Sequence, residues 1–325
     1  MTARSLLLTR PAYDMMGRTI ESLSHELDVL IWTADAISRP DGTPVDPADA
    51  RPEAAWVSVD LLFSGEFPDF VDAALALGTV QWFQGCLAGT DAPPFAKIKA
   101  AGVRLSNSDA PNAGVAEYVM SSVLHVVHGI GARVAAHRAR EWVQVPWREI
   151  NGMTWAVVGF GSIGGEIAQR AKGFGVEIVG IRRTSVEDDR ADRMATMDNL
   201  HEELARADVV VLACPLTEAT AGMADAAFFA AMKEDSILVN VSRGPVVDTP
   251  ALLKALDGGA PAMAILDVFD VEPLPEDSPI WDHPNVFLTS HIAGAGAGFV
   301  ERGAKLFIEQ LDGYLAGRPL RLEVS

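Results

Sequence analysis

Short, largely apolar runs stand at residues 5–8, 29–32, 57–63, 80–83 and 103–105. They read as strands buried on both faces. Between them, as at 70–77 and 94–101, the apolar residues follow a helical pattern. Strands alternating with helices predict a parallel sheet covered on both sides. A long Ala- and Val-rich stretch at 113–140 then reads as helix, with a break expected at Gly129 and Gly131. Its length suits a spine between domains or against a second subunit.

A second alternation begins at Thr154. Strands are predicted at 154–158, 177–181, 208–213, 236–241, 263–268 and 286–289, with helices at 163–172 and 248–256 among them. A last helix, 298–315, is expected to return to the first domain. The chain has 325 residues, about right for two cores of ordinary size.

Composition narrows the partners. The formal net charge is -18, which repels nucleic acid and anionic lipid, so neither is expected. An anionic substrate would need positive charge supplied locally. The two cysteines, Cys86 and Cys214, lack metal-ligand spacing and fit a reducing cytoplasm. Residues 1–11 hold only a three-Leu apolar run, too short for a signal-peptide core or a membrane span. His125 and His128 lie three apart on the long helix, but no third ligand is in view, so they read as core or interface residues rather than a metal site. His283 is expected in a loop near the active site.

The run Gly159-Phe160-Gly161-Ser162-Ile163-Gly164 follows a predicted strand and opens a predicted helix. In that context it is a dinucleotide fingerprint. The first Gly makes the turn, the second admits a pyrophosphate, and the third lets helix and strand pack. The next strand ends in Arg182 and Arg183, where an acid usually takes the ribose 2′-hydroxyl. Arg cannot accept that hydrogen bond but pairs well with a 2′-phosphate, so NADP is preferred over NAD. The expected fold is α/β, with two doubly wound Rossmann-like domains. A dinucleotide-binding domain, 107–294, is inserted into a substrate domain formed by 1–106 and 295–325.

Further polar residues follow later strands: Val241, Ser242 and Arg243, then Asp267 and Glu272, then His291. Strand carboxyl ends are where open α/β sheets place ligands. Hydride transfer to a carbonyl builds negative charge on oxygen, and a protonated His can quench it. A carboxylate beside the His favours the imidazolium and fixes the ring. An Arg can hold a substrate carboxylate or polarise the carbonyl.

With these motifs in this order, the chain resembles the D-isomer-specific 2-hydroxyacid dehydrogenase family along nearly its whole length, most densely from Asn107 to Gly294. The resemblance makes His291 the acid/base, Glu272 its partner and Arg243 the substrate anchor. It implies that Cys214, Pro215, Thr217, Val241, Ser242 and Asp267 line the cofactor, and that backbone N–H groups around Ala88 and Gly89 bind the substrate carboxylate. It also implies a homodimer built around 113–140. Departures from the pattern are Ser290 where the family often has Pro, Arg182 where NAD-using members have Asp, and the Trp82-Phe83-Gln84 start of the substrate loop. Glyoxylate or hydroxypyruvate are the expected substrates. A phosphite-oxidising enzyme with the same Arg, Glu and His stays open, as does a non-catalytic NAD(P)-sensing protein on this fold.

Overall fold

The computed structural model describes residues 4–23, 26–184 and 186–324. The chain divides into two compact units, Met1–Pro111 with Ala297–Ser325, and Asn112–Gly296. The divisions fall a few residues from the 106/107 and 294/295 positions expected from sequence.

The first unit opens with β1 (Arg4–Thr9), α1 (Arg10–Glu21), β2 (Leu27–Trp32), β3 (Ile37–Ser38), β4 (Pro44–Val45) and β5 (Ala54–Trp56). It continues with α2 (Val59–Ser64), α3 (Phe67–Ala76), β6 (Trp82–Gln84), α4 (Pro93–Ala100) and β7 (Arg104–Ser106). The sheet order is β4-β3-β2-β1-β5-β6-β7, parallel except at its edge, where β3 pairs antiparallel with both β2 and β4. Residues 57–63, expected as one strand, instead leave the sheet after Trp56 and form α2. A run that short carries too little period to separate strand from helix. Gly65, at φ 78°, supplies the helix stop. α1 was not anticipated either, although its start is legible: Thr9 caps it by accepting from the Ala12 N–H, and Pro11 sits in the first turn.

The second unit begins with α5 (Asn112–Val127) and α6 (Ile130–Ala139), which bend by 57° across Gly129 in its left-handed conformation. No single helix among the described residues is long and apolar enough to cross a membrane. Then come β8 (Thr154–Val158), α7 (Ser162–Lys172), β9 (Glu177–Arg182), β10 (Arg193–Thr196), α8 (Leu200–Leu204) and β11 (Val209–Leu212). α9 (Ala226–Ala231), β12 (Ile237–Asn240), α10 (Thr249–Gly258), β13 (Met263–Leu266) and β14 (Val286–Leu288) complete it. All strands run parallel in the order β10-β9-β8-β11-β12-β13-β14. The order reverses between β8 and β11, so that is the switch point where such sheets take ligands. α11 (Phe299–Leu315) falls in the first unit. There Phe307 stacks on Trp56 at 4.6 Å, and Tyr314 stacks on Trp82 at 5.0 Å.

Candidate active site

The fingerprint turn joins β8 to α7, and each glycine has its own reason. Gly159 has φ 90°, and a Cβ there would overlap the backbone of Cys214 and Ala213, which follow β11. The switch point is therefore closed tightly by backbone against backbone. A Cβ on Gly164 would press on Val157 Cγ1 at 3.0 Å, so the third glycine lets α7 sit on β8. A Cβ on Gly161 would meet nothing within 4 Å. That open space lies at the N-terminus of α7, whose first residues are Ser162 and Ile163, where free N–H groups and the helix dipole favour an anion. A pyrophosphate fits a cradle of this kind.

Phe160 is fully buried, and a Cβ on Gly180 of β9 would strike its ring. Its carbonyl accepts from Arg182 Nε at 3.1 Å, which fixes that half-buried side chain at the end of β9. Arg183 is exposed. Nearby, Arg190 forks onto Asp188 with bonds of 2.8 and 2.7 Å. This pairing, with a further contribution from the charge of Arg182, holds the Asp188 carboxyl down to about 2.

The later strands deliver the catalytic candidates. Asn240 ends β12 as a buried polar residue. Its side-chain oxygen accepts from the Ser242 N–H and hydroxyl, and its amide donates to the Arg243 carbonyl. The turn that carries Arg243 is thus built around Asn240. Arg243 Nη1 in turn donates to the Ser242 carbonyl at 2.7 Å. Gly244 lies so close to the Phe269–Asp270 peptide that there is no room for a Cβ. This contact sets the Arg243 turn directly against the loop after β13. In that loop the Phe269 N–H donates to Glu272 Oε1 at 2.9 Å, and Glu272 Oε2 meets His291 Nδ1 at 2.7 Å. The expected His–Glu pair is therefore formed, and half of the imidazole faces solvent.

His291 has φ 53°, a left-handed backbone that non-glycine residues adopt rarely. Asp267, 1% exposed, holds the turn in that shape. Its backbone carbonyl accepts from the His291 N–H at 2.8 Å. Its carboxylate accepts from the Thr289 hydroxyl at 2.6 Å and from the Ile292 and Ala293 N–H groups at 2.9 Å. The roles of Asn240, Gly244 and Thr289 were not anticipated. The signal for Asn240 was a polar residue closing the apolar run 237–239.

Cys214 is buried and its thiol is pushed up to about 11; burial likewise raises Cys86 to about 12, so neither is a ready nucleophile. Pro215 and Thr217 are exposed, their turn fixed by Thr220, whose hydroxyl donates to the Pro215 carbonyl. In the first unit, Asn107 Nδ2 donates to the Ala88 carbonyl at 2.8 Å and braces the Ala88–Gly89 turn. His283 corrects an expectation. It precedes β14, at the amino edge of the sheet, where its ring accepts from the Asn285 N–H, so it is remote from the strand carboxyl ends. His125 packs on Phe287 and His128 on Trp147.

Residues 120–293 match the family model described as D-isomer specific 2-hydroxyacid dehydrogenase, NAD binding domain. The glyoxylate reductase of Thermococcus gammatolerans is 39% identical over 189 residues, 55% of this chain and 56% of that protein. The chain thus aligns with about half the length of that relative. A D-isomer specific 2-hydroxyacid dehydrogenase family protein from Aeromonas salmonicida superposes with a TM-score of 0.80 at 27% identity, covering 100% of this chain and 99% of that one. A family member from Xanthobacter autotrophicus, solved with NADPH and MES, gives 0.77 at 26% identity, covering 100% and 98%. Fingerprint, His–Glu pair, matched motif order and whole-chain likeness agree: the protein belongs to the D-isomer specific 2-hydroxyacid dehydrogenase family.

Proposed function

We propose that the protein reduces a small 2-keto acid to its 2-hydroxy acid with NADPH, glyoxylate and hydroxypyruvate being the first candidates. The observation that carries the reading is the His291–Glu272 pair, set on the same sheet edge as Arg243. The nicotinamide, when bound, supplies the hydride. Glu272, ionised, only accepts, so the ring proton at Nδ1 points to it and Nε2 is the nitrogen that meets substrate. His291 then gives the Nε2 proton to the carbonyl oxygen as negative charge develops there. Arg243 supplies the positive charge that an acidic substrate needs in a protein of net charge -18. The Ala88–Gly89 turn is the second candidate for the substrate carboxylate, on the strength of the family resemblance.

For the cofactor, the Gly161 cradle suits the pyrophosphate, and Arg182 with Arg183 the 2′-phosphate. Cys214, Pro215, Thr217, Val241, Ser242 and Asp267 would line the nicotinamide end. The Xanthobacter relative, solved with NADPH, supports the choice of phosphate form. We also propose a cytoplasmic homodimer. None of the residues of α6 is buried, and Trp142, 92% exposed, heads an apolar segment with Val143, Val145 and Trp147. A second copy of this chain would cover that surface.

The test is a screen of 2-keto acids with NADPH and NADH, followed by nicotinamide absorbance. Turnover of glyoxylate or hydroxypyruvate with NADPH preferred is expected. Tight NADPH binding without turnover of any 2-keto acid would move the protein to the nucleotide-sensing class, and oxidation of phosphite alone would change the substrate. Sedimentation as a monomer at micromolar concentration would remove the dimer.

A further inference from the structure

We propose that Tyr118, on α5, is a positioning residue for His291, acting through Thr289 and Asp267. The inference rests on the reading of His291 as proton donor. Tyr118 Oη lies 2.7 Å from Thr289 Oγ1, and Thr289 Oγ1 lies 2.6 Å from Asp267 Oδ1. The direction of these bonds follows from the inventory of protons. An ionised Asp267 can only accept, so Thr289 spends its single hydroxyl proton there. Thr289 can then meet Tyr118 only as an acceptor, and the phenol must donate. The result is a one-way chain, Tyr118 O–H to Thr289 O–H to the Asp267 carboxylate, in which each bond polarises the next.

The chain ends on the group that shapes the catalytic turn. Asp267 holds the three consecutive N–H groups of residues 291–293, the first at its carbonyl and the others at its carboxylate. These bonds keep His291 at φ 53°, where a side chain other than glycine is strained. Without them the turn would relax and Nδ1 would leave Glu272. Thr289 sits two residues before His291, so its rotamer fixes where the turn begins.

α5 is placed to serve as the backing of this turn. Gly114, one helical turn before Tyr118, lies so near the turn that a Cβ would stand 3.3 Å from the Ala293 carbonyl oxygen and 3.4 Å from that of Gly294. His125, two turns further on, packs its ring 4.9 Å from Phe287 of β14. Gly114, Tyr118 and His125 fall on one face at intervals of four and seven. That face follows the chain from β14 through Thr289 to Gly294. Burial raises the pKa of Tyr118, so the phenol keeps the proton it must donate at neutral pH.

The experiment uses full-length protein with three substitutions, Tyr118→Phe, Thr289→Val and Thr289→Ser, beside His291→Gln. Phe keeps the ring packing and removes only the donor. Turnover of glyoxylate or hydroxypyruvate, whichever the wild type reduces, is measured per NADPH-binding site counted by fluorescence. Tyr118→Phe should lower kcat roughly 3- to 10-fold, the weight of one neutral hydrogen bond. Thr289→Val should lower it roughly 10- to 100-fold, since the lost partner is a buried charge. Thr289→Ser should restore most of that loss. NADPH affinity should stay within about twofold of wild type, and the deuterium isotope effect from nicotinamide-deuterated cofactor should rise as chemistry becomes limiting. Unchanged kcat in both Tyr118→Phe and Thr289→Val, while His291→Gln is inactive, overturns this inference alone. So does a loss of rate that merely follows a loss of NADPH-binding sites, because that is a folding defect. A wild type that reduces neither acid, or a His291→Gln protein at full rate, overturns the functional reading and this inference with it.

Discussion

Adding one methyl group at Gly244 should disable the site from the inside. Gly244 is buried at the start of a short 3-10 turn, and its backbone is not left-handed, so the demand for glycine is one of space. A Cβ there would overlap the carbonyl carbon and oxygen of Phe269 and the N of Asp270. Ordinary contact begins at 3.4 Å, and peptide atoms cannot swing aside as the end of a long side chain can. Gly244→Ala must therefore push the two loops apart by roughly 1 Å or more, because repulsion between overlapping atoms is steep. One loop carries Arg243 and the other carries Glu272, anchored to Phe269. A displacement of that size in a catalytic group costs about 10²-fold in rate. Overpacking a buried position adds about 1–3 kcal/mol of destabilisation. For a unit of this size, that corresponds to a fall in Tm of about 2 to 12 °C. The assay is kcat/KM with the preferred keto acid per folded site, alongside a thermal melt. Gly161→Ala is the control. Its Cβ enters open space, so Tm should hold while NADPH affinity falls. Wild-type kcat/KM in folded Gly244→Ala would refute the claim that this contact sets the spacing of Arg243 and Glu272.

The remaining predictions concern charge. Arg243→Ala should lower kcat/KM by roughly 10²-fold or more with NADPH binding little changed, and a loss confined to NADPH affinity would reassign Arg243 to the cofactor. Arg182→Asp should shift preference from NADPH toward NADH, because a carboxylate repels a 2′-phosphate and accepts from a ribose hydroxyl; a wild type that already favours NADH refutes it. Asp188 has its pKa held at about 2, below its ordinary 3.8, so its pairing stabilises the fold above that ordinary value and the benefit is lost as pH falls toward 2. Asp188→Asn should thus cost about 1 kcal/mol at pH 7 and only a small part of that at pH 2, and parallel melting curves across that range would show the pair to be inert.

What could be read without the structure was local. The apolar strands of the second unit, the Gly-rich turn after the first of them and the short polar segments around Arg243, Glu272 and His291 each lie within a short window of sequence. What escaped was set by partners far away along the chain. Tyr118 and Thr289 are 171 residues apart, and nothing near either one marks the bond between them. Gly244 sat in plain view inside a motif, but its reason is the Phe269 carbonyl, which only the packing of two loops supplies. The two-residue strands β3 and β4 are too short to show any alternation. Residues 57–63 misled because strand and short buried helix share the same composition at that length.

The parallel ladder of the second unit explains how residues scattered over more than a hundred positions are brought to one edge. Its hydrogen bonds do not stop where the strands do. The Gly159 N–H donates to Ile181, Ala213 to Val158, Val241 to Leu212, Asp267 to Asn240 and Thr289 to Leu266, at 2.8 to 3.2 Å. The first residue of each loop is therefore pinned to the tip of the neighbouring strand. Asp267 is itself such a pinned residue, Arg243 stands two positions beyond one, and so does His291. A side chain two residues past a strand of a buried, hydrogen-bonded sheet is held close to that strand's order. Glu272 lies five residues past its pin, too far to inherit the same order. The extra anchor from the Phe269 N–H to its carboxylate compensates for that distance, which is why the loop after β13 folds back on itself before it reaches His291.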